Sequence, residues 1–443
     1  MPSLCRRRHL VLPIALLAIL AMAAPVWGQG VALRAVSPVG ESFGGATTAA
    51  PIDAAGAIHW NPASISGLNS SEMSFGMGII IPQSTLSSRI NANALGPGVP
   101  PITMAGSDDS EPGAVPVPSM AMVYQPEDSP WNFGFGMFAV GGSRVNYPAS
   151  LTNPILTPQP PYGLGLGRLS AEVEILQLAP TISYELTERL SVGFAPTVTV
   201  GQMIASPLFL AGKDNANGDG YPTYPEGVGT RYIWGGGFQV GLYYVTPNGW
   251  HFGTSLKSPQ WMEPFRYKSE DELGRPRTVK YHLDYPLILS TGVAYSGFDR
   301  WVLACDIRYF NYANTPGFKD YGVGPDGALL GLDWNNIVAV ALGAQRQVTD
   351  RLYVRFGYSF NENPIDSEAA QYNAASPLII KHAVHTGASY MFADNWTMTL
   401  AYVHCFENEV AGPMHSAYGP IPGTEVQSTA AADAFSLGFT KRF

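Results

Sequence analysis

Residues 352–360 read Leu352-Tyr353-Val354-Arg355-Phe356-Gly357-Tyr358-Ser359-Phe360. Leu352, Val354, Phe356, Tyr358 and Phe360 share one face; Tyr353, Arg355, Gly357 and Ser359 share the other. Successive side chains point to opposite sides of a strand. A period of two, with one apolar face and one small or polar face, therefore describes a strand between two unlike environments. The pattern recurs. Met73, Phe75, Met77 and Ile79 oppose Ser74, Gly76 and Gly78, and Trp396, Met398, Leu400 and Tyr402 oppose Thr397, Thr399 and Ala401. Fourteen such segments begin near residues 72, 117, 131, 174, 189, 232, 250, 281, 300, 336, 351, 381, 396 and 432. Their connections alternate in length. Short ones occupy 125–130, 185–188, 246–249, 296–299, 349–350 and 393–395, and long ones, such as 87–116, 206–231 and 407–431, lie between. Short turns at one end and long loops at the other are the asymmetry of an outer-membrane barrel, which a soluble sandwich has no reason to show.

Working outward, Trp131, Trp250, Trp301, Tyr353 and Trp396 stand where strands meet the short turns, as an interfacial aromatic girdle requires. The last strand presents Phe435, Leu437 and Phe439 on one face and stops at Phe443. That aromatic ending resembles the signal by which outer-membrane assembly machinery recognises its clients. Only 13% of residues are charged and 12% are aromatic, against about 25% charged in ordinary soluble domains. At the amino terminus Arg6, Arg7 and Arg8 precede an apolar run from Leu10 to Ala21, then small residues including Ala23, Ala24 and Gly28. This is the layout of an export signal, too short for a lasting helical anchor. Removing those arginines from 25 basic residues leaves 22 against 34 acidic, a balance that excludes nucleic acid as partner. The expected organisation is a signal peptide over 1–28, an amino-terminal segment over 29–70 and an all-β transmembrane antiparallel barrel over 71–443.

Residues 30–70 do not alternate. They contain Gly30-Val31-Ala32-Leu33, Gly44-Gly45-Ala46, Asp53-Ala54 and Asn61-Pro62-Ala63 in that order. Asn followed by Pro marks a helical start, with Asn as cap and Pro at the first position. This series resembles the opening of the FadL/TodX family, outer-membrane transporters of long-chain fatty acids and hydrophobic aromatic compounds. Many members carry two acids before the Ala of the Asp-Ala step; here Ile52 replaces the first. The turn Glu185-Leu186-Thr187-Glu188-Arg189-Leu190 is similar to one between two middle strands of that family. The resemblance implies a Gram-negative outer-membrane monomer whose amino-terminal segment folds inside the lumen as a hatch carrying Asp53, Asn61, Pro62 and Ala63. It also implies that apolar ligand leaves sideways through a break in the third strand.

The residues agree with that implication at two points. Inward positions are mostly Gly, Ser, Thr and Ala, which leaves lumenal space. Gly141-Gly142 in the third strand points to a bulge or kink, either a side opening or a bend without function. By parity Phe138, Val140, Ile80 and Tyr243 are inward candidates for an apolar lining. Arg308 and Arg355, with Lys257 and His385 behind them, either meet a ligand carboxylate or pair with Asp306, Asp53 or Glu41. The expected partners are a hydrophobic small molecule and, outside, membrane lipid and lipopolysaccharide. No cofactor is expected. Asn215, Asn217, Asp219, Gly220 and Glu226 approach a calcium-loop spacing, but Pro222 and Pro225 interrupt it, so a turn-rich loop is the reading and no metal is expected. A lipid hydrolase is the competing function. His385 and Ser389 share a face but stand about 13 Å apart at strand rise, too far for proton transfer. A structural or adhesive barrel is the third possibility, and it predicts no lumenal pocket.

Overall fold

The computed structural model describes residues 29–96, 101, 103–227 and 229–443; the expected signal peptide lies outside them. Fourteen antiparallel strands form the wall: β1 Glu72–Ile90, β2 Val115–Tyr124, β3 Trp131–Tyr147, β4 Leu169–Thr187, β5 Leu190–Ser206, β6 Ile233–Val245, β7 Trp250–Lys257, β8 Ile288–Tyr295, β9 Trp301–Phe310, β10 Ile337–Thr349, β11 Leu352–Asn361, β12 His382–Ala393, β13 Trp396–Gly412 and β14 Thr424–Arg442. Neighbours in sequence are neighbours in space. The cylinder closes because β1 pairs with β14 along its whole length, from Glu72↔Arg442 to Ile90↔Thr424, and with β2 on its other edge. Pairing the first strand with the last removes the two outer edges an open sheet would present to the bilayer.

The expected alternation governs orientation. Phe75, Met77 and Ile79 on β1 and Phe435, Leu437 and Phe439 on β14 are exposed, whereas their alternates are small or buried. An exposed apolar belt of this extent is unfavourable in water and matches hydrocarbon. Trp131, Trp301 and Trp396 are exposed at the short-turn end. Tyr353 does not join them. It shares the face of buried Arg355 and so points into the lumen. The segment beginning near residue 281 also resolves differently. Phe265–Glu270 and Pro276–Tyr281 pair as a hairpin within a long loop, and β8 starts only at Ile288. The hairpin falls largely in the expected loop 263–279, and residues 282–287 connect it to β8 instead of starting the wall.

The amino-terminal segment lies inside the wall. It comprises helix α1 Pro38–Ser42, helix α2 Ala54–Trp60 and a 3-10 turn Pro62–Gly67. Ser37 caps α1, its Oγ accepting from Gly40 N at 3.0 Å. Asn61 caps the 3-10 turn, its Oδ1 accepting from Ala63 N at 3.1 Å, with Pro62 first in the turn. The start of α2 is capped from the wall: Glu72 of β1 accepts from Ala54 N at 2.7 Å. Inward glycines admit this backbone. A Cβ on Gly193 would lie 2.2 Å from Ala63 N, and one on Gly241 would lie 2.0 Å from Asn61 Oδ1. These glycines are register partners across β5 and β6, and Gly343↔Gly357 forms a second such pair against Phe43 and Gly44. Phe43, Ile58, Trp60 and Ile65 are consequently buried almost completely.

Candidate functional site

Between β2 and β3 the wall is incomplete. Lower down, towards the short turns, Ser119–Tyr124 pairs with Phe133–Phe138. Higher up, Glu111 N donates to Asn146 O and Asn146 N to Ser110 Oγ, each at 2.8 Å. Over the stretch between, β3 keeps its ladder with β4 but has none with β2. Two local features account for the gap. The β3–β4 register shifts between Ala139 and Gly141, placing one extra residue in β3. On the facing strand stand Pro116 and Pro118. Spaced two apart, their nitrogens lie on one edge, and without N–H that edge cannot donate while the other edge still pairs with β1. The amino-terminal segment bonds to the free edge of β3 instead. Leu33 N donates to Val140 O at 2.9 Å and Gly142 N to Val31 O at 3.2 Å.

A cavity of about 720 Å³ opens at this gap. Its inner wall includes the inward residues Ile80, Val117, Ile175 and Val403, and it is bounded by Gly141, Gly142 and Ser143. Beyond them the lining reaches Leu176, Val200 and Trp234, which lie on the outward face. The cavity therefore runs from lumen to lipid-facing side. Its walls are mainly apolar, with a few polar groups. Arg144 and Glu172 form an ion pair of 2.8 Å near the outer mouth. Inside are Arg34, Glu41 and His385. Ser436 Oγ donates to the Glu41 carboxylate, and burial pushes that carboxyl up to about 7. His385 contacts Glu41 O through Nδ1 at 2.9 Å and Ser359 Oγ through Nε2 at 2.8 Å.

The residues singled out from sequence separate into two groups. Ile80, Gly141 and Gly142 line the cavity. Val140 is buried at the bulge, where its carbonyl also accepts from Tyr285 OH at 3.2 Å. Phe138 is fully buried with its ring 5.2 Å from His59, outside the cavity lining. Tyr243 sits near the short-turn end, bonded to His251 Nδ1 at 2.7 Å and packed towards Gly67. Arg308 pairs with Asp306 at 2.7 Å, donates to Gly45 O and lies 3.4 Å over the Trp60 ring. Arg355 donates to Gln345 Oε1 and Ser389 Oγ, both at 2.6 Å. Neither arginine lines the cavity. Lys257 Nζ contacts His59 Nδ1 at 3.1 Å and Gln177 Oε1 at 3.2 Å. His59 is held well below the ordinary histidine range, by burial first and then by the cations Lys257 and Arg308. Asp53 is buried, and burial raises its carboxyl.

Other sequence features resolve plainly. Asn215 and Asn217 turn their Oδ1 atoms onto the amides of Gly220 and Asp219, as turn residues do. Ser389 is engaged by Arg355 and Thr399 and does not contact His385. Sequence reasoning missed Arg34 and the Pro116–Pro118 edge, and named Glu41 only as a partner for the lumenal cations. Arg34 and Glu41 lie where no strand periodicity assigns a face; the prolines were a legible signal.

A family model described as outer membrane protein transport protein (OMPP1/FadL/TodX) matches residues 15–443. Among solved structures, a FadL homologue of Pseudomonas aeruginosa is similar with a TM-score of 0.69 and 14% identity, covering 94% of this chain and 100% of the other. The toluene transporter TodX of Pseudomonas putida gives 0.65 at 14% identity, covering 93% and 99%. The toluene transporter TbuX of Ralstonia pickettii gives 0.64 at 16%, also covering 93% and 99%. No curated protein matches the chain.

Proposed function

The chain belongs to the OMPP1/FadL/TodX family of outer-membrane transport proteins, and from that premise we propose that it admits hydrophobic small molecules, long-chain fatty acids or aromatic hydrocarbons, by passive diffusion with sideways exit. The observation that carries this reading is the cavity whose lining passes from inward Ile80 and Val403 to outward Val200 and Trp234 at the β2–β3 gap. An apolar solute gains roughly 0.8 kcal/mol for each methylene removed from water, so a water-filled pore would oppose its passage. Transfer from an apolar cavity directly into hydrocarbon avoids that exposure.

In this reading residues 1–28 are removed on export, residues 29–70 act as a hatch and residues 71–443 form the wall. Gly141 and Gly142 form the lip of the side opening, with Ile80 and Val140 beside the ligand. Phe138 and Tyr243 support the hatch from below the cavity. Asp53, Asn61, Pro62 and Ala63 seat the hatch, Arg308 holds it against the wall, and Arg355 braces the wall strands beside it. Phe443 serves as the assembly signal, lipid and lipopolysaccharide contact the belt, and the barrel works as a monomer. Family members are transporters, and the Ser and His residues of the lumen serve this role as structural polar groups.

The test is uptake of radiolabelled palmitate and of toluene by cells that lack their own uptake barrels. Expression of this chain is expected to raise entry of at least one of them. Correctly inserted protein with no gain for either would refute the proposal.

A further inference from the structure

Among the described residues six arginines have a carboxylate within ion-pair distance. Arg144 has Glu172, Arg277 has Asp214, Arg308 has Asp306 and Arg442 has Glu72, each within 3.3 Å. Arg34 differs. It lines the apolar cavity, and among the described residues no carboxylate oxygen lies within ion-pair distance of it. Its neighbours are neutral acceptors. With the Asn361 amide turned oxygen-first, that oxygen accepts from Nε at 3.2 Å and from Nη2 at 2.9 Å. Ile380 O accepts from Nη2 at 3.4 Å. Nη1 meets only the Cys405 thiol, at 3.5 Å.

A guanidinium carries five N–H donors in a fixed fork, and sulfur is a weak acceptor. The Asn361 and Ile380 oxygens thus satisfy the Nε–Nη2 edge, while Nη1 lacks an oxygen partner. A full positive charge beside hydrocarbon is costly without an anion. Nearby Glu41 does not supply one at bonding distance. Burial holds its carboxyl near pH 7, which lessens its repulsion of an arriving anion.

We infer that Arg34 is the carboxylate anchor of the cavity, which selects single-chain aliphatic carboxylates over uncharged hydrocarbons of the same length. The inference rests on the uptake reading above. The headgroup sits at Nη1, and the alkyl chain follows Val117, Ile175 and Val403 to the gap at Gly141 and Gly142. A charge-assisted N–H···O bond in low dielectric accounts for the preference. The amino-terminal segment then has two tasks, since Val31 and Leu33 bond to the lip while Arg34, next in the chain, receives the ligand head.

The experiment is equilibrium binding of palmitate and of 1-hexadecanol to the detergent-purified full barrel, for wild type, Arg34→Gln and Arg34→Lys. Heat-modifiable gel migration verifies folding of each. Wild type is expected to bind palmitate about tenfold or more tighter than hexadecanol. Arg34→Gln is expected to lower palmitate binding to the hexadecanol level while leaving hexadecanol within about twofold, and Arg34→Lys to retain part of the preference. Equal loss of both probes in Arg34→Gln would make Arg34 a tie between segment and wall, overturning the anchor and leaving the uptake reading intact. Equal affinity of the two probes for wild type does the same. Binding of neither probe to folded wild type overturns the anchor together with the fatty-acid half of the uptake reading, and leaves the aromatic half to the toluene uptake assay.

Discussion

Glu41 faces the cavity from the end of α1, with Ser436 Oγ on its carboxylate and the His385 imidazole on its backbone carbonyl. Burial raises its carboxyl from 4.5 to about 7. Between those values the docked segment keeps the proton and a solvent-exposed segment loses it. The undocked form thus binds fewer protons, and docking weakens as pH rises through this window. Below about 4.5 the term vanishes, and above about 7 it reaches its full cost of roughly 3 kcal/mol. Hydrogen exchange of residues 36–45 is therefore expected to quicken from pH 5 to pH 8, and Glu41→Gln to flatten that dependence; equal slopes in both proteins would contradict it. Residues of this kind were only half legible in the sequence. Parity put Arg308, Arg355, Lys257 and His385 inside, because a strand's period fixes its faces. Parity could not say that Arg308 meets Asp306 and the Gly45 carbonyl rather than the cavity. Arg34 lies on irregular backbone and Glu41 in a five-residue helix, too short for a period to assign a face. Their place emerges only from how the segment packs.

Among the elements, the wall and the segment inside it were shaped together. Gly193 and Gly241 face each other across β5 and β6 because the Asn61-Pro62-Ala63 backbone lies directly upon them. Gly343 and Gly357 do the same for Phe43 and Gly44. The cap at Asn61 was readable from Asn-Pro, and the small inward residues from alternation. That the glycines form matched pairs beneath particular turns was not, since strand register is a property of the assembled sheet. The bulge beside Gly141-Gly142 was legible for a local reason. The gap also needed Pro116 and Pro118 on the facing strand, a second signal on a different element. Removing residues 30–66 is expected to leave a folded, heat-modifiable barrel that passes small polar solutes in a liposome-swelling assay. The intact chain is expected to exclude them. Equal impermeability of both would show that the segment does not occlude the lumen.

At the scale of the molecule, the closed cylinder was the most legible feature. A closed sheet in a bilayer imposes its alternation on every strand, and the turn asymmetry repeats around the ring. The upper ends were less so, because strands rising beyond hydrocarbon lose the contrast between faces. The stretch from Tyr281 to Leu287 reads as the start of a wall strand for the same reason, although the wall begins only at Ile288. Among the described residues the wall is breached between β2 and β3, where an apolar cavity meets the outer face. Ala139 stands on the outward side at the lower edge of that breach, in register with Leu176. A tryptophan there would fill the exit while leaving the inner wall and Arg34 unchanged. The deciding measurement is the initial rate of uptake of palmitate or toluene, whichever wild type admits, by cells carrying Ala139→Trp, beside binding to the purified variant. Sideways exit predicts that uptake falls about tenfold or more while binding persists. Uptake at the wild-type rate through a barrel whose side is filled would contradict it.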